Sequence, residues 1–395
     1  MIFAHRGSSL PLIYFAVACA TTVAGAVLPI LSNVTSTLSG KAKCFSQDLN
    51  VDVVSNNLKI LLDPPANQTV VTETLVELLQ NGSTLFSRVN GGQNIIKKTY
   101  RIYGKLCVPQ DASTTNPPQI IQFLTHGDTF DSTYWDLSPG YSYIDLVISQ
   151  GQATFSYDRI GVGRSQHPDP LQEVQAPLQV EIAHALVTLI RKAQVGPYSF
   201  NIVVGVGHGA GSTINPGVTT KYPRDFDSVI LTGTSVSTSF VNTTIASSDL
   251  TIANTDSSGR FAGLPNGYLV QPLPQSIQFP YLRWPNFDPK ILKVMVDNKQ
   301  IQTLGELLTL DTIAAPSTQF RGFVFVILGE NDLVSCGGDC TQPQDQAALV
   351  APTLYPTAFL SRHSIISGAG HALFAHYAFL EAFAVVNDFL RSNRF

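Results

Sequence analysis

Residues 198–212 constrain the fold more than any other stretch. An apolar, β-branched run, Ile202-Val203-Val204, leads through Gly205-Val206 into Gly207-His208-Gly209-Ala210-Gly211-Ser212. The first part has the composition of a buried strand. The second places glycine at 207, 209 and 211, a turn signal, and then continues in small residues. A strand, a sharp elbow and a helix are expected here, with Gly209 at the tip of the elbow.

The length allows such a unit to sit in something large. A chain of 395 residues suffices for one big α/β domain with an inserted cap, or for two domains. Hydrophobic residues make up 44% and charged residues 13%, which describes a large core and excludes a disordered or coiled-coil chain. The net charge of −4 comes without a basic block, so nucleic acid is not an expected partner.

The N-terminus reads as a targeting segment. His5 and Arg6 precede an almost wholly apolar run from Leu10 to Leu31, and Ala24-Gly25-Ala26 fits a small-x-small cleavage site. Residues 1–26 are therefore expected to be a secretory signal peptide, with an uncleaved signal anchor as the rival reading. Sequons at Asn33, Asn67, Asn81 and Asn242 agree with export and glycosylation. Cys19 falls in the signal, which leaves an even number of cysteines. Cys336 and Cys340 are expected to close a small loop, and Cys44 to join the N-terminal arm to Cys107. No His or second Cys pair lies at ligand spacing, which disfavours a metal site.

Along the chain, residues 27–50 read as an extended arm, within an N-terminal section of arm and edge strands that runs to 96. Two strand-like runs follow, Glu73 to Leu79 and Lys97 to Val108, separated by the turn signals Asn81-Gly82 and Gly91-Gly92. After a Pro-rich loop the pattern changes. Short buried-strand runs at 120–125, 152–157, 202–206, 226–232 and 323–328 alternate with helical spacing at 142–149 and 175–192. That alternation predicts a mostly parallel, doubly wound sheet. The stretch 234–320 is too long for an ordinary crossover and is read as an insertion. It carries Tyr268, Phe279, Tyr281, Trp284 and Phe287, together with a helix over 304–310. A strand over 358–366 and a helix over 376–391 close the chain.

These residues resemble the α/β-hydrolase family in its secreted, fungal-type form, over about residues 97–395. His126-Gly127 stands after the third core strand, where that family places its oxyanion loop. Asp158…Gly161…Gly163…Ser165 is similar to its strand-four turn. Gly207-His208-Gly209-Ala210-Gly211-Ser212 resembles its G-H-S-x-G-S elbow, Gly329-Glu330-Asn331-Asp332 its acid turn, and Gly370-His371 its terminal G-H. The resemblance implies an α/β-hydrolase fold: a core over 97–233 and 321–395, with a cap over 234–320 between the sixth and seventh core strands. It also implies an acid–base pair of Asp332 and His371, with Glu330 and Asp339 as competing acids. The oxyanion donors would be the backbone N–H groups of Asp128 and Ala210. No metal, nucleotide or flavin motif is present, and no cofactor is expected.

The departure is at the tip. Gly209 has no side-chain oxygen, so no acyl-enzyme can form there. Four readings follow. His371 and Asp332 abstract a proton from a small apolar or aromatic ester-, lactone- or carbonyl-type substrate, as in lyases or isomerases of specialised metabolism. Alternatively His371 activates water directly, or Ser212 substitutes as nucleophile, or the protein is inactive and binds a ligand or partner. Asn215-Pro216-Gly217 also predicts that the helix after the elbow is short, kinked or interrupted, because proline and glycine cost about 3 and 1 kcal/mol in a helix interior.

Overall fold

A computed structural model of the chain describes residues 33–395. The expected signal peptide and its cleavage site lie outside the described residues. The molecule is built on a nine-stranded sheet. Behind a short edge strand, Asn33–Ser36, come eight core strands: β1 (Ala42–Ile60), β2 (Asn90–Pro109), β3 (Ile120–Thr125), β4 (Ala153–Tyr157), β5 (Ile202–His208), β6 (Ser228–Thr232), β7 (Phe323–Gly329) and β8 (Leu360–Ile366). Their spatial order is β1-β2-β4-β3-β5-β6-β7-β8. β1, β2 and β4 pair antiparallel, and every pair from β4 to β8 is parallel. With helices on both faces, this is the doubly wound α/β-hydrolase fold expected from the sequence.

The parallel strands were legible because they are buried on both faces and so are apolar almost throughout. One face packs under helices α3 (Ala176–Arg191) and α4 (Ala210–Lys221), with Leu186, Val187, Val203, Ile214 and Val326 in its core. The other face packs under α2 (Tyr143–Ser149) and α7 (Phe379–Ser392), with Val204, Val206, Phe325 and Phe374. The insertion between β6 and β7 contributes α5 (Pro274–Tyr281) and a three-stranded antiparallel sheet of Thr251–Ile252, Tyr268–Val270 and Ile301–Thr303. Helix α6 (Gln346–Leu354) links β7 to β8.

Three expectations are corrected. Residues from 73 to 79 are not a strand but the end of helix α1, Gln68–Leu79. Thr74, Val76 and the leucines of the run gave it its strand character. Two features make it helical instead. Asn67 caps it by accepting from the Val70 N–H, and the i, i+4 pair Val71 and Leu75 is buried.

The arm is extended, as expected where it is described, but it is not free: from Ala42 to Ile60 it is β1, ten residues longer than the expected arm and paired with β2 along nearly its whole length. Leu49, Val51 and Val53 point inward and alternate with exposed residues, as in a strand solvated on one side.

Finally, α4 runs without interruption through Pro216 and Gly217. The Pro216 carbonyl accepts from the hydroxyls of Thr220 and Ser317 at 2.8 and 3.0 Å. A Cβ on Gly217 would lie 2.8 Å from Val180 Cγ2, so glycine lets α3 and α4 approach closely. Packing outweighs propensity here.

Candidate active site

The strand ends align at one edge: Thr125 is in register with Gly207, His208 with Thr232, and Gly329 with Ile366. β3 and β5 are neighbours, yet the chain leaves β3 toward β4 on one side and returns to β5 on the other. Open α/β sheets form their ligand crevice at such a point, beyond the carboxyl ends of the strands. The loops after β3, β5, β7 and β8 carry Asp128, Gly209, Asp332 and His371, respectively.

At the elbow, Gly209 has φ +54° and ψ −118°, a conformation that strains any residue with a side chain and suits glycine. Its N–H donates to Thr232 O at 3.0 Å, and α4 starts at the next residue. The flanking glycines are needed for close approach. A Cβ on Gly207 would lie 2.5 Å from Gly211 O, and one on Gly211 would lie 2.1 Å from Thr125 O. The sharp turn is thus kept, while the residue at its tip presents no reactive atom.

Opposite the tip stands an imidazole. His371 Nδ1 lies 3.0 and 3.1 Å from the two carboxylate oxygens of Asp332. Asp332 is fully buried and His371 only 4% exposed. Asp332 Oδ1 also accepts the Ser335 N–H at 2.8 Å, which caps the turn Leu333–Cys336. The carboxylate assigns the Nδ1 proton, so Nε2 is left with its lone pair. Nε2 lies 3.2 Å from the point a Cβ on residue 209 would occupy, and Gly127 Cα lies 3.6 Å from that point. Residues from three distant parts of the chain therefore meet around the elbow tip.

The predicted oxyanion donors are free to act. Neither the Asp128 nor the Ala210 N–H has a hydrogen-bond partner among the described residues. Ala210 opens α4, where the helix leaves its first N–H groups unpaired. The β3 loop is held from behind. His126 Nε2 accepts the Arg159 N–H at 3.0 Å, and its Nδ1 bonds Gly127 O at 2.8 Å. Burial and the neighbouring Arg159 charge hold the His126 pKa well below its ordinary value, so the ring is a neutral brace. The fully buried Arg159 guanidinium pairs with Asp128 at 2.9 Å and with Glu306 of the insertion.

Competing assignments find other roles. Glu330 accepts from Ser367 Oγ and the Gly368 N–H, and Asp339 accepts from Thr341; neither meets His371. The buried Ser212 hydroxyl donates to Thr232 O at 2.8 Å and accepts the Thr232 N–H at 3.0 Å. It is fully occupied in joining α4 to β6, which removes it as a substitute nucleophile. Cys44–Cys107 and Cys336–Cys340 are both bonded, the first across paired positions of β1 and β2, the second just after Asp332. Asn33 opens the edge strand, and Asn67, Asn81 and Asn242 are exposed.

Sequence reasoning missed three residues. Tyr281, at the end of α5, lies over His371 with ring centroids 5.6 Å apart and planes at 28°. Its hydroxyl meets Thr129 Oγ1 at 3.0 Å, and its carbonyl accepts the Ala372 N–H at 2.9 Å. It was visible only as one aromatic among several in the insertion. Arg159 follows the strand-four aspartate, and Glu306 is the lone acid in Leu304-Gly305-Glu306-Leu307-Leu308. A lone charge in an apolar run was the available signal for Glu306, but nothing in the order of residues indicated that it would pair with Arg159.

No family model and no curated protein matches the chain. Among solved structures it is similar to a thermophilic esterase from Thermogutta terrifontis, at 14% identity over 74% of this chain and 94% of that one, with TM-score 0.49. An alpha/beta hydrolase fold protein from Chitinophaga pinensis gives 16% identity, 74% and 94% coverage and TM-score 0.49. A peroxisomal alpha-beta-hydrolase of Saccharomyces cerevisiae gives 10% identity, 89% and 90% coverage and TM-score 0.49. At these values the likenesses carry no conclusion about chemistry, which has to come from the site itself.

Proposed function

We propose that this chain is a secreted, glycosylated α/β-hydrolase-fold enzyme that works with an acid–base pair and no covalent nucleophile. Its substrate is a small apolar or aromatic ester, lactone or carbonyl compound. One observation carries the reading: the buried Asp332–His371 pair turns Nε2 to the elbow tip, within 3.2 Å of where a side chain on residue 209 would begin. A base oriented by a buried carboxylate and aimed at an elbow tip flanked by two unpaired N–H groups is the arrangement that general-base chemistry requires.

Chemistry follows from the parts. A water held at Nε2 gives up a proton to the imidazole as its oxygen attacks the substrate carbonyl carbon. Asp332 stabilises the imidazolium. The tetrahedral oxyanion lies against the Asp128 and Ala210 N–H groups. Collapse breaks the bond to the leaving alkoxide, which takes the proton back from Nε2. The same base can remove a proton from carbon next to a carbonyl, with the enolate oxygen at the same two donors. The acidic turn, the imidazole and both donors support either course.

Turnover of the aromatic lactone dihydrocoumarin and of p-nitrophenyl butyrate tests the reading. Wild-type protein should hydrolyse at least one of them with no burst and no acylated protein in the mass spectrum. His371→Ala should reduce the rate by about 10³-fold or more, the scale seen when a catalytic base is removed. Equal rates in wild type and His371→Ala would refute base catalysis and leave the ligand-binding alternative.

A further inference from the structure

The Asp128 N–H depends on a residue that the proposed chemistry never touches. Arg159 is fully buried, and its Nη2 donates to Asp128 Oδ1 at 2.9 Å and to Gly127 O at 3.3 Å. Gly127 O is the carbonyl of the same peptide unit that bears the Asp128 N–H. His126 reaches that carbonyl too. Its Nε2 accepts the Arg159 N–H, so Nδ1 carries the ring proton and donates to Gly127 O at 2.8 Å. Two donors therefore hold one carbonyl from the buried side.

The peptide unit makes that grip directional. Gly127–Asp128 is a trans peptide, in which C=O and N–H point opposite ways across a rigid plane. With the carbonyl pinned toward Arg159 and His126, the N–H is turned away from them, and it meets no protein acceptor among the described residues. Gly127 borders the elbow tip, its Cα 3.6 Å from where a Cβ on residue 209 would stand. Solvent reaches this edge at Gly209, which is only partly buried, and at the Asp128 side chain, which is 27% exposed.

The loop needs holding there. Thr129, the next residue, sits at φ +59°. A β-branched side chain is strained in that region and stays only where its surroundings fix the backbone. Arg159 helps to fix it, because Nη1 is itself anchored on Glu306 of the insertion. The insertion thus bears on the oxyanion loop through one guanidinium.

We infer that Arg159 is a positioning residue, anchored by Glu306, that turns the Asp128 N–H toward the oxyanion and strengthens it as a donor. Donors on a carbonyl polarise the whole peptide unit, and a guanidinium keeps its charge even when buried. The inference rests on reading the elbow tip as the place where an oxyanion forms.

The test compares wild type with Arg159→Lys, which keeps the charge but lacks the planar fork that spans Glu306, Asp128 and Gly127 O. Two probes are titrated by calorimetry: methyl phenylphosphonate, a tetrahedral anion, and dimethyl phenylphosphonate, its neutral ester. Wild-type protein should bind the anion about tenfold more tightly than the ester, and in the variant that preference should fall to about twofold or less, with the ester bound as before. For dihydrocoumarin, kcat should drop by about 10²-fold with KM nearly unchanged. A residue that only supports the fold would shift both probes alike.

Should the variant fail to fold, wild-type protein labelled with ¹⁵N-arginine carries the test. A guanidinium held at three acceptors does not rotate freely about its Cζ–Nη bonds. Arg159 should therefore give separate, slowly exchanging Nη–H signals, and methyl phenylphosphonate should move them together with the Asp128 amide. Labelling with ¹³C-carbonyl glycine and ¹⁵N-aspartate isolates that amide, since only Asp128 and Asp339 follow a glycine, and Asp339→Asn removes the second.

Averaged Arg159 signals overturn the inference, as does an Asp128 amide that moves while Arg159 does not. No preference for the anion in wild type, or the same preference in Arg159→Lys, removes this inference alone and leaves the crevice as the ligand site. Failure of wild type to bind either probe removes both. The expected binding results without turnover would overturn the proposed reaction and uphold the role of Arg159 in holding the donor.

Discussion

Single residues define what this site can and cannot do. Gly209 excludes a covalent intermediate at the tip, and His371 faces it, while His208 and His126 lie buried in the elbow strand and the β3 loop. The last two are buried neutral, as is His376, whose Nε2 accepts from the Arg283 and Gly370 N–H groups and whose pKa burial lowers to about 4. In the unfolded chain all three would titrate near 6.5. Between about pH 6.5 and 4 the unfolded state therefore binds protons that the folded state does not. Their contribution to stability is fully present above about pH 6.5 and falls as the pH drops through that window. For His376 alone the loss reaches about 3 kcal/mol by pH 4. The buried Asp131 and Glu306 carboxyls, which burial raises to about 6 and about 7, take up protons in the folded state over the same range and oppose the histidines in the total. The measurement is therefore a comparison: in urea unfolding between pH 7 and 5, His376→Gln should lower the slope of stability with pH by about one proton near pH 5. An unchanged slope in that variant would mean that the ring is not held neutral.

At the scale of elements, legibility followed burial. β3, β5, β6 and β7 stood out as apolar runs because helices cover both faces of the sheet there. β1 was harder to see because its inward residues alternate with solvated ones, and α1 looked like a strand because β-branched residues fill a short helix. The helix after the elbow shows the limit most clearly. Pro216 and Gly217 argue against a helix locally; the close approach of Val180 and the burial of Ile214, Pro216 and Val218 are what hold the segment in place. Ser212 belongs to the same framework. Ser212→Ala would leave the N–H and carbonyl of Thr232 without that hydroxyl, and should lower stability by about 2 kcal/mol in urea denaturation. Turnover per folded molecule should stay nearly intact, since the hydroxyl has no part in the chemistry. A collapse of turnover with stability unchanged would return Ser212 to the list of nucleophiles.

Across the whole molecule, the sheet brings together what the sequence holds apart. Gly209, Asp332 and His371 were legible as a set because each follows a strand run and carries a short local motif. Those two properties decide which edge of a parallel sheet a residue reaches. The pairing of Arg159 with Glu306 spans 147 positions and joins the core to the insertion. Tyr281 is likewise brought over His371 only by the way the insertion packs back on the β8 loop. Neither contact has a local signature, because each is fixed by how two segments distant in sequence meet. Nor did the spacing of motifs indicate whether the acid–base pair would face an elbow tip that bears no side chain.

Placing a serine at the elbow tip measures the alignment directly. In Gly209→Ser the new side chain must adopt the strained elbow conformation, and His371 must yield by a few tenths of an ångström from its 3.2 Å approach. If the acid, the base and the oxyanion donors are poised as described, the folded variant should release a burst of p-nitrophenol from p-nitrophenyl butyrate and carry an acyl group on residue 209. Adding His371→Ala should abolish both. A folded Gly209→Ser protein that forms no acyl-enzyme would contradict the claim that this pair is set to act at the elbow.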